Sequence, residues 1–134
     1  MGKANIANAD PESTLGKLLK ESVPLSPDDR AEYLYNSPDL ESAHAASAAQ
    51  GDTQAPNAGD NIDLHYVAFV KASDGHLWEL DGRRKGPIDR GVLGDEEDAL
   101  SEKALDLGPR TFMKREAEAG EMRFSLVALA PSFN

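Results

Sequence analysis

Between Leu64 and Asp81 the apolar residues recur with a period of two on either side of Ser73-Asp74-Gly75, and this pattern constrains the fold more than any other. Leu64, Tyr66, Ala68 and Val70 alternate with His65, Val67, Phe69 and Lys71, and both sets are largely apolar. That predicts a central strand buried on both faces, with His65 near its start. Glycine supplies the positive φ a tight turn needs, so His76–Asp81 returns as an antiparallel partner. Pro87-Ile88 predicts a short edge piece, and the alternation in Met122–Leu129 predicts a further strand closing the sheet.

Helical signals surround this hairpin. Asp10-Pro11 and Ser26-Pro27 each read as a cap followed by proline in the first turn, opening helices to about Glu21 and Tyr35. Ser37-Pro38 opens a third, Ala-rich helix that Gly51 can end, with Leu40, Ala43, His44, Ser47 and Ala48 on one face. Asp95 is expected to cap a helix to about Lys114 that presents Leu100, Ala104, Leu107 and Phe112 inward and is broken or kinked at Gly108-Pro109. Residues 51–61 lack periodicity and read as one long exposed loop. The sum is an α+β fold, a mostly antiparallel sheet flanked by helices, in a single domain spanning residues 1–134.

Composition removes several functions. A net charge of −10 and the uninterleaved acidic run Asp95–Asp98 argue against nucleic acid, whose phosphates need clustered cations. None of the 134 residues is cysteine, so they form no disulfide or thiolate metal site and contain no cysteine nucleophile. No apolar run approaches the roughly 18 residues of a membrane span, and no secretory leader is visible. A cytoplasmic protein, with the nucleus as an alternative, is the expectation. His44 and His76 form no zinc-type spacing with carboxylates, so no metal and no cofactor are implied.

His65 and Asp81 are the candidate chemical pair. An aspartate accepting from one imidazole nitrogen fixes the tautomer and stabilises the imidazolium, so the other nitrogen can serve a nucleophile. A two-residue turn would set Ser73 opposite His76 and place Asp81 near Ala68 rather than His65, leaving proximity to twist or a bulge. The plainer alternative is a strand histidine bonded to backbone and an aspartate that merely ends a strand before Gly82. On the residues alone, both stand.

Longer motifs bear on the choice. Ala48–Pro56, Ile62–Val70, Gly75–Arg83, Gly86-Pro87-Ile88, Gly91 and Arg123–Leu129 occur in an order that resembles the later half of the ubiquitin carboxyl-terminal hydrolases, papain-like cysteine deubiquitinases. The resemblance runs from about Arg30 onward and implies a partial papain-like fold. In it His65 is the general base, Asp81 is its orienting partner, and residues 51–61 are a crossover-like loop gating the substrate through Gly51, Thr53, Gln54 and Pro56. It further implies ubiquitin as partner and thiol-dependent cleavage after ubiquitin's C-terminus. The family's nucleophilic cysteine and oxyanion glutamine have no counterpart, because Met1–Asn8 resembles the end of the helix that bears the cysteine. Gln50 and Gln54 belong to the later loop. The expectation is therefore a shortened product, inactive alone, or else a non-catalytic ubiquitin-binding module or a half-enzyme needing a cysteine-bearing partner. An apolar face left around Tyr66, Ala68, Leu77 and Phe124 is expected to favour self-association.

Overall fold

A computed structural model describes residues 9–52 and 65–130. The expectations for Met1–Asn8, for Thr53, Gln54 and Pro56, and for the first residues of the Ile62–Val70 motif lie outside the described residues. The chain divides into two compact units, Met1–Asp60 with Ala130–Asn134, and Asn61–Leu129.

The first unit carries three helices, α1 (Thr14–Ser22), α2 (Pro27–Tyr35) and α3 (Pro38–Ala48). Ser26 and Ser37 cap α2 and α3 as their Ser-Pro signals predict, each hydroxyl accepting from the backbone N–H three residues on. The expected start of α1 at Asp10 is wrong. Asp10 accepts the Glu12 N–H through its own carboxylate at 3.0 Å and the Ser13 N–H through its carbonyl, which closes a turn before the helix. Ser13 then caps α1, with Gly16 N at 3.0 Å from its hydroxyl. A Cβ on Gly16 would lie 2.1 Å from the Asp10 carbonyl oxygen, so only glycine lets the turn fold back this closely. Arg30 reaches from α2 to the carbonyls of Ser22, Val23 and Leu25, each at 3.0 Å, and satisfies acceptors that the end of α1 would otherwise leave to water. The α3 face expected to pack closely, Leu40 to Ala48, buries nothing among the described residues.

The second unit is built on an antiparallel sheet in the order β1 (Val67–Lys71), β2 (His76–Asp81), β3 (Ile88–Val92). The central strand among those described is therefore β2, and β1 is an edge, a correction to the expectation that the His65 strand would be central. Nor is β1 buried on both faces. Val67, Phe69 and Lys71 are half-buried, while Ala68 and Val70 are exposed, as is Tyr66 just before the strand. The hairpin turn also holds three residues rather than two. Ala72 N donates to His76 O at 3.0 Å, Gly75 N to Ala72 O at 3.0 Å, and Gly75 takes φ +81°. Asp81 consequently stands opposite Val67, not Ala68.

The expected strand at Met122–Leu129 pairs with none of the described strands, and Met122, Leu126, Val127 and Leu129 are exposed. Alternation alone makes no strand, because its backbone groups must find a ladder partner. The Pro87-Ile88 expectation is met by β3.

A helical run packs on one sheet face: α4 (Glu102–Leu105), a π-turn (Asp106–Arg110) and α5 (Thr111–Glu118). It starts at Ser101, whose hydroxyl accepts from Ala104 N at 3.3 Å, and not at Asp95. The carbonyls of Gly94 and Glu97 are taken by the Lys71 ammonium at 2.7 and 2.6 Å, which holds this stretch as a turn tied to β1. Pro109 kinks the run without ending it. The wider π-turn absorbs its missing N–H, and the Thr111 hydroxyl donates to the Asp106 carbonyl at 2.7 Å.

Leu77, Leu93 and Ala104 form the buried core, with Phe69, Ala99 and Leu107 packed on it. Leu100, expected inward, is exposed. Gly108 lets the helical run approach the sheet, since a Cβ there would sit 2.7 Å from Phe69 Cδ1 and 3.1 Å from Leu77 Cδ2. Gly108→Ala is therefore expected to destabilise this unit by about 1–2 kcal/mol. An overpacking cost of ~1–3 kcal/mol outweighs the gain of up to ~1 kcal/mol in helix propensity. Urea melts of the two proteins decide it, and an equally stable alanine variant would contradict the close packing.

Candidate active site

Residues of one parity along the hairpin share a face. Val67 opposite Asp81 places His65, Val67 and Phe69 on the same side as Leu77, Glu79 and Asp81. His65 lies two residues before Val67 and so is the diagonal neighbour of Asp81, a separation that an imidazole and a carboxylate can bridge. They do so. His65 Nε2 is 2.7 Å from Asp81 Oδ1, with side-chain exposures of 22% and 4%. The ring N–H is not directed onto that oxygen, so the contact is close without being an aligned hydrogen bond.

Asp81 is anchored independently of the histidine. Arg83 N donates to its Oδ1 at 2.8 Å, Arg84 Nε stands 3.6 Å from Oδ2, and Arg84 N donates to its carbonyl at 2.9 Å. The Arg83 N–H first, then the His65 charge and the Arg84 guanidinium, hold the carboxyl below the usual carboxylate range against the opposing effect of burial. Asp81 is thus ionised at neutral pH. The pair has the parts of an oriented general base: a carboxylate fixed by backbone, an imidazole held through Nε2, and a second ring nitrogen, Nδ1.

The other candidates are less informative. Gly51 is exposed and donates its N–H to Ala48 O at 3.1 Å, ending α3, while Thr53, Gln54 and Pro56 lie outside the described residues. His44 is exposed. No three metal-ligating side chains come together among the described residues, and no described helix is long and apolar enough to cross a membrane.

Two arrangements were not foreseen. His76 Nδ1 meets the Asp89 carboxylate at 2.9 and 3.0 Å, across from Asp74, whose carboxylate accepts the His76 N–H and the Trp78 indole N–H. The Asp89 contact raises the His76 pKa above its ordinary 6.5, and Asp89 is lowered in turn. The stabilisation from this pair is complete below the ordinary histidine value and fades as pH climbs through the raised one. His76→Gln is accordingly expected to lose stability relative to the parent at pH 5, with the gap narrowing by pH 9 in urea melts; a constant gap would contradict it.

The second arrangement is a buried ion cluster. Glu79, two residues before Asp81 on the same face, is 0% exposed. It bonds Arg90 through both Nε, at 2.7 Å, and Nη2, while Arg115 of α5 stands 3.8 Å from its other oxygen. Arg115 in turn lies over the Phe112 ring, 5.1 Å from its centre. Arg90 is the extra residue of a β-bulge, since Trp78 pairs with Asp89 and Leu77 with Gly91, whose φ is +124°. Sequence shows the glycine but not which neighbour the bulge redirects.

An α+β unit whose hairpin presses an imidazole against a backbone-anchored carboxylate has the base arrangement of a nucleophilic hydrolase. Residues 3–113 match the family-wide profile of ubiquitin carboxyl-terminal hydrolase, family 1. Ubiquitin carboxyl-terminal hydrolase isozyme L1 of Monodelphis domestica is 38% identical over 122 residues, covering 91% of this chain and 51% of that protein. The Sus scrofa and Homo sapiens proteins of the same name are each 38% identical over 117 residues, covering 87% of this chain and 48% of theirs. The chain belongs to the ubiquitin carboxyl-terminal hydrolase family. It spans about half the length of these curated relatives.

Proposed function

We propose that these residues supply the histidine–aspartate half of a cysteine-type deubiquitinase active site, as part of one catalytic domain. The 2.7 Å contact between His65 Nε2 and the anchored Asp81 carboxylate carries this reading. With Nε2 turned to Asp81, Nδ1 is the nitrogen that pairs with a thiolate. It takes the thiol proton to form the ion pair, gives that proton to the amine released from ubiquitin, and then draws a proton from the water that hydrolyses the acyl-enzyme. The thiolate comes from outside these 134 residues, on the same or another polypeptide, since none of them is cysteine. The substrate is ubiquitin joined through its C-terminal glycine, gated by the 51–61 loop with Gly51, Thr53, Gln54 and Pro56. By itself the chain is inactive. A cytoplasmic setting, with the nucleus as alternative, accompanies this reading.

The test mixes the 134-residue chain with a cysteine-bearing segment of a family relative and adds ubiquitin carrying a C-terminal propargyl warhead. Covalent capture of the cysteine that needs this chain, and is lost in His65→Gln, is the expected result. Capture that proceeds equally with the glutamine variant would overturn the assignment of His65. A non-catalytic ubiquitin-binding module is the second reading. It predicts saturable NMR shifts with ubiquitin, retained in His65→Gln, but no capture.

A further inference from the structure

Asp81 lies where the sheet narrows. Strand β2 pairs with β1 as far as Val67 opposite Asp81, but its pairing with β3 ends two residues earlier, at Glu79 opposite Ile88. Beyond Glu79 the described sheet is a two-stranded ribbon, and twist runs larger in ribbons than in wider sheets. The direction of the Asp81 side chain therefore depends on how β2 leaves Glu79. Glu79 is the last residue of β2 with a strand partner on either side, and its side chain is tied as well. Arg90 of β3 bonds Oε2 through Nε, at 2.7 Å, and through Nη2, while Oε1 makes no hydrogen bond and faces Arg115 of α5 at 3.8 Å. The bulge delivers Arg90, and Asp89 pins the bulge by accepting the Gly91 N–H at 2.9 Å.

We infer that Glu79 and Arg90 are positioning residues that set the direction in which β2 presents Asp81 to His65. A carboxylate with no exposed surface is costly to bury even when paired, and an apolar residue between Leu77 and Asp81 would pack there at lower cost. What the ion pair supplies is direction, because a planar guanidinium meets a carboxylate in few orientations, whereas apolar contact is non-directional. Fixing Glu79 fixes the rotation of β2 two residues before Asp81, on the face they share. The Arg83 N–H grips the Asp81 carboxylate from the turn that follows, so Asp81 is directed from both sides. That the imidazole it meets is a general base rests on the function proposed above.

The experiment reads the His65 ring nitrogens by NMR at pH 9 in the 134-residue chain carrying isotope-labelled histidine, with His65→Gln marking which signals are its own. In the parent the tautomer with its proton on Nε2, toward Asp81, should dominate. Glu79→Leu combined with Arg90→Met should lower that tautomer ratio about tenfold, the scale of one hydrogen bond to a charged group, while urea melts show the unit still folded. Arg90→Lys keeps the cation but replaces the fork by a point charge. It should give an intermediate ratio, and it decides the matter if the double variant does not fold. In enzyme reconstituted with a cysteine-bearing segment, the double variant should lower kcat about 10²-fold with KM within a few-fold, the scale of a ~1 Å misplacement. A parent without tautomer preference, or a ratio unchanged in the folded variants, would overturn the proposal. So would a KM that rises while kcat holds. The tautomer measurement contains neither thiol nor ubiquitin, so failure of the capture test above removes only the link to catalysis and leaves the positioning result to stand or fall by itself.

Discussion

In enzyme reconstituted with a cysteine-bearing segment, Asp81→Asn is expected to lower kcat/KM for a fluorogenic ubiquitin amide by about 10³-fold or more, the scale on which a misassigned imidazole tautomer acts in a catalytic triad. The cause is local. Asp81 Oδ1 faces both the Arg83 N–H, at 2.8 Å, and His65 Nε2, at 2.7 Å, while Oδ2 faces the Arg84 guanidinium. An asparagine cannot serve all three: with its oxygen at the Oδ1 position its NH2 meets the Arg84 cation, and the flipped amide that avoids this cation sets its NH2 against His65. An NH2 facing Nε2 requires that nitrogen to accept, which moves the ring proton to Nδ1, the nitrogen assigned to the thiolate. The base is then occupied by its own proton. Ubiquitin affinity should stay within a few-fold, because a carboxylate with 4% exposure contacts no partner directly. Affinity falling in step with kcat/KM would point to disruption of the hairpin and against the orienting role. The same variant carries a pH signature. The depressed Asp81 pKa contributes stability that is present above the ordinary carboxylate value and lost as pH falls through the depressed one, and asparagine removes that dependence. In acid melts the two proteins should converge as Asp81 of the parent becomes protonated.

How far the site was legible in sequence turns on one residue of the hairpin. Period-two alternation and Asp74-Gly75 identify two strands and a reversal, but do not say whether Ser73 belongs to the strand or the turn. With Ser73 in the strand, Asp81 shares a face with Ala68 and points away from His65. With Ser73 in the turn, as observed, every residue of β2 changes face and Asp81 meets the imidazole. The family-like motifs singled out two side chains that the structure brings to 2.7 Å, where spacing alone did not, because spacing fixes chain distance and not parity. The helix starts show the same limit. Ser26 and Ser37 take the caps of α2 and α3 themselves, whereas Asp10 and Asp95 each precede a serine, Ser13 or Ser101, whose hydroxyl takes the cap. The Met122–Leu129 alternation was read correctly as a pattern, but pairing depends on a partner that no local pattern supplies. The two-face burial expected of β1 failed for a related reason, because apolar side chains on both faces state a capacity for cover without supplying what covers them.

The Glu79 cluster was invisible because it depends on a bulge, and it is where the largest stability effect is expected. Arg90→Met should destabilise the second unit by about 3 kcal/mol or more, the cost of leaving a fully buried carboxylate with one partner removed. Glu79 has no exposed surface, and Arg115, 3.8 Å away and directed at the other oxygen, is too distant to replace the two Arg90 contacts. The methionine fills most of the arginine stem's volume, so the loss reports charge more than packing. A double variant, Glu79→Leu with Arg90→Met, should recover most of the stability, since a buried ion pair exchanged for apolar residues of similar size is often close to neutral. Arg115 retains access to solvent and the face of Phe112, so it tolerates the loss of Glu79 better than Glu79 tolerates the loss of Arg90. Urea denaturation of the three proteins at pH 7 measures this. Should the single variant lose less than about 1 kcal/mol, the carboxylate is reaching water by another route. Should the double variant be as unstable as the single one, the cluster contributes through the shape of the bulge and not through its charges. Either way β2 is implicated directly: the strand that buries Glu79 is the strand that presents Asp81 two residues later, so loosening it should widen the His65–Asp81 contact before the unit unfolds.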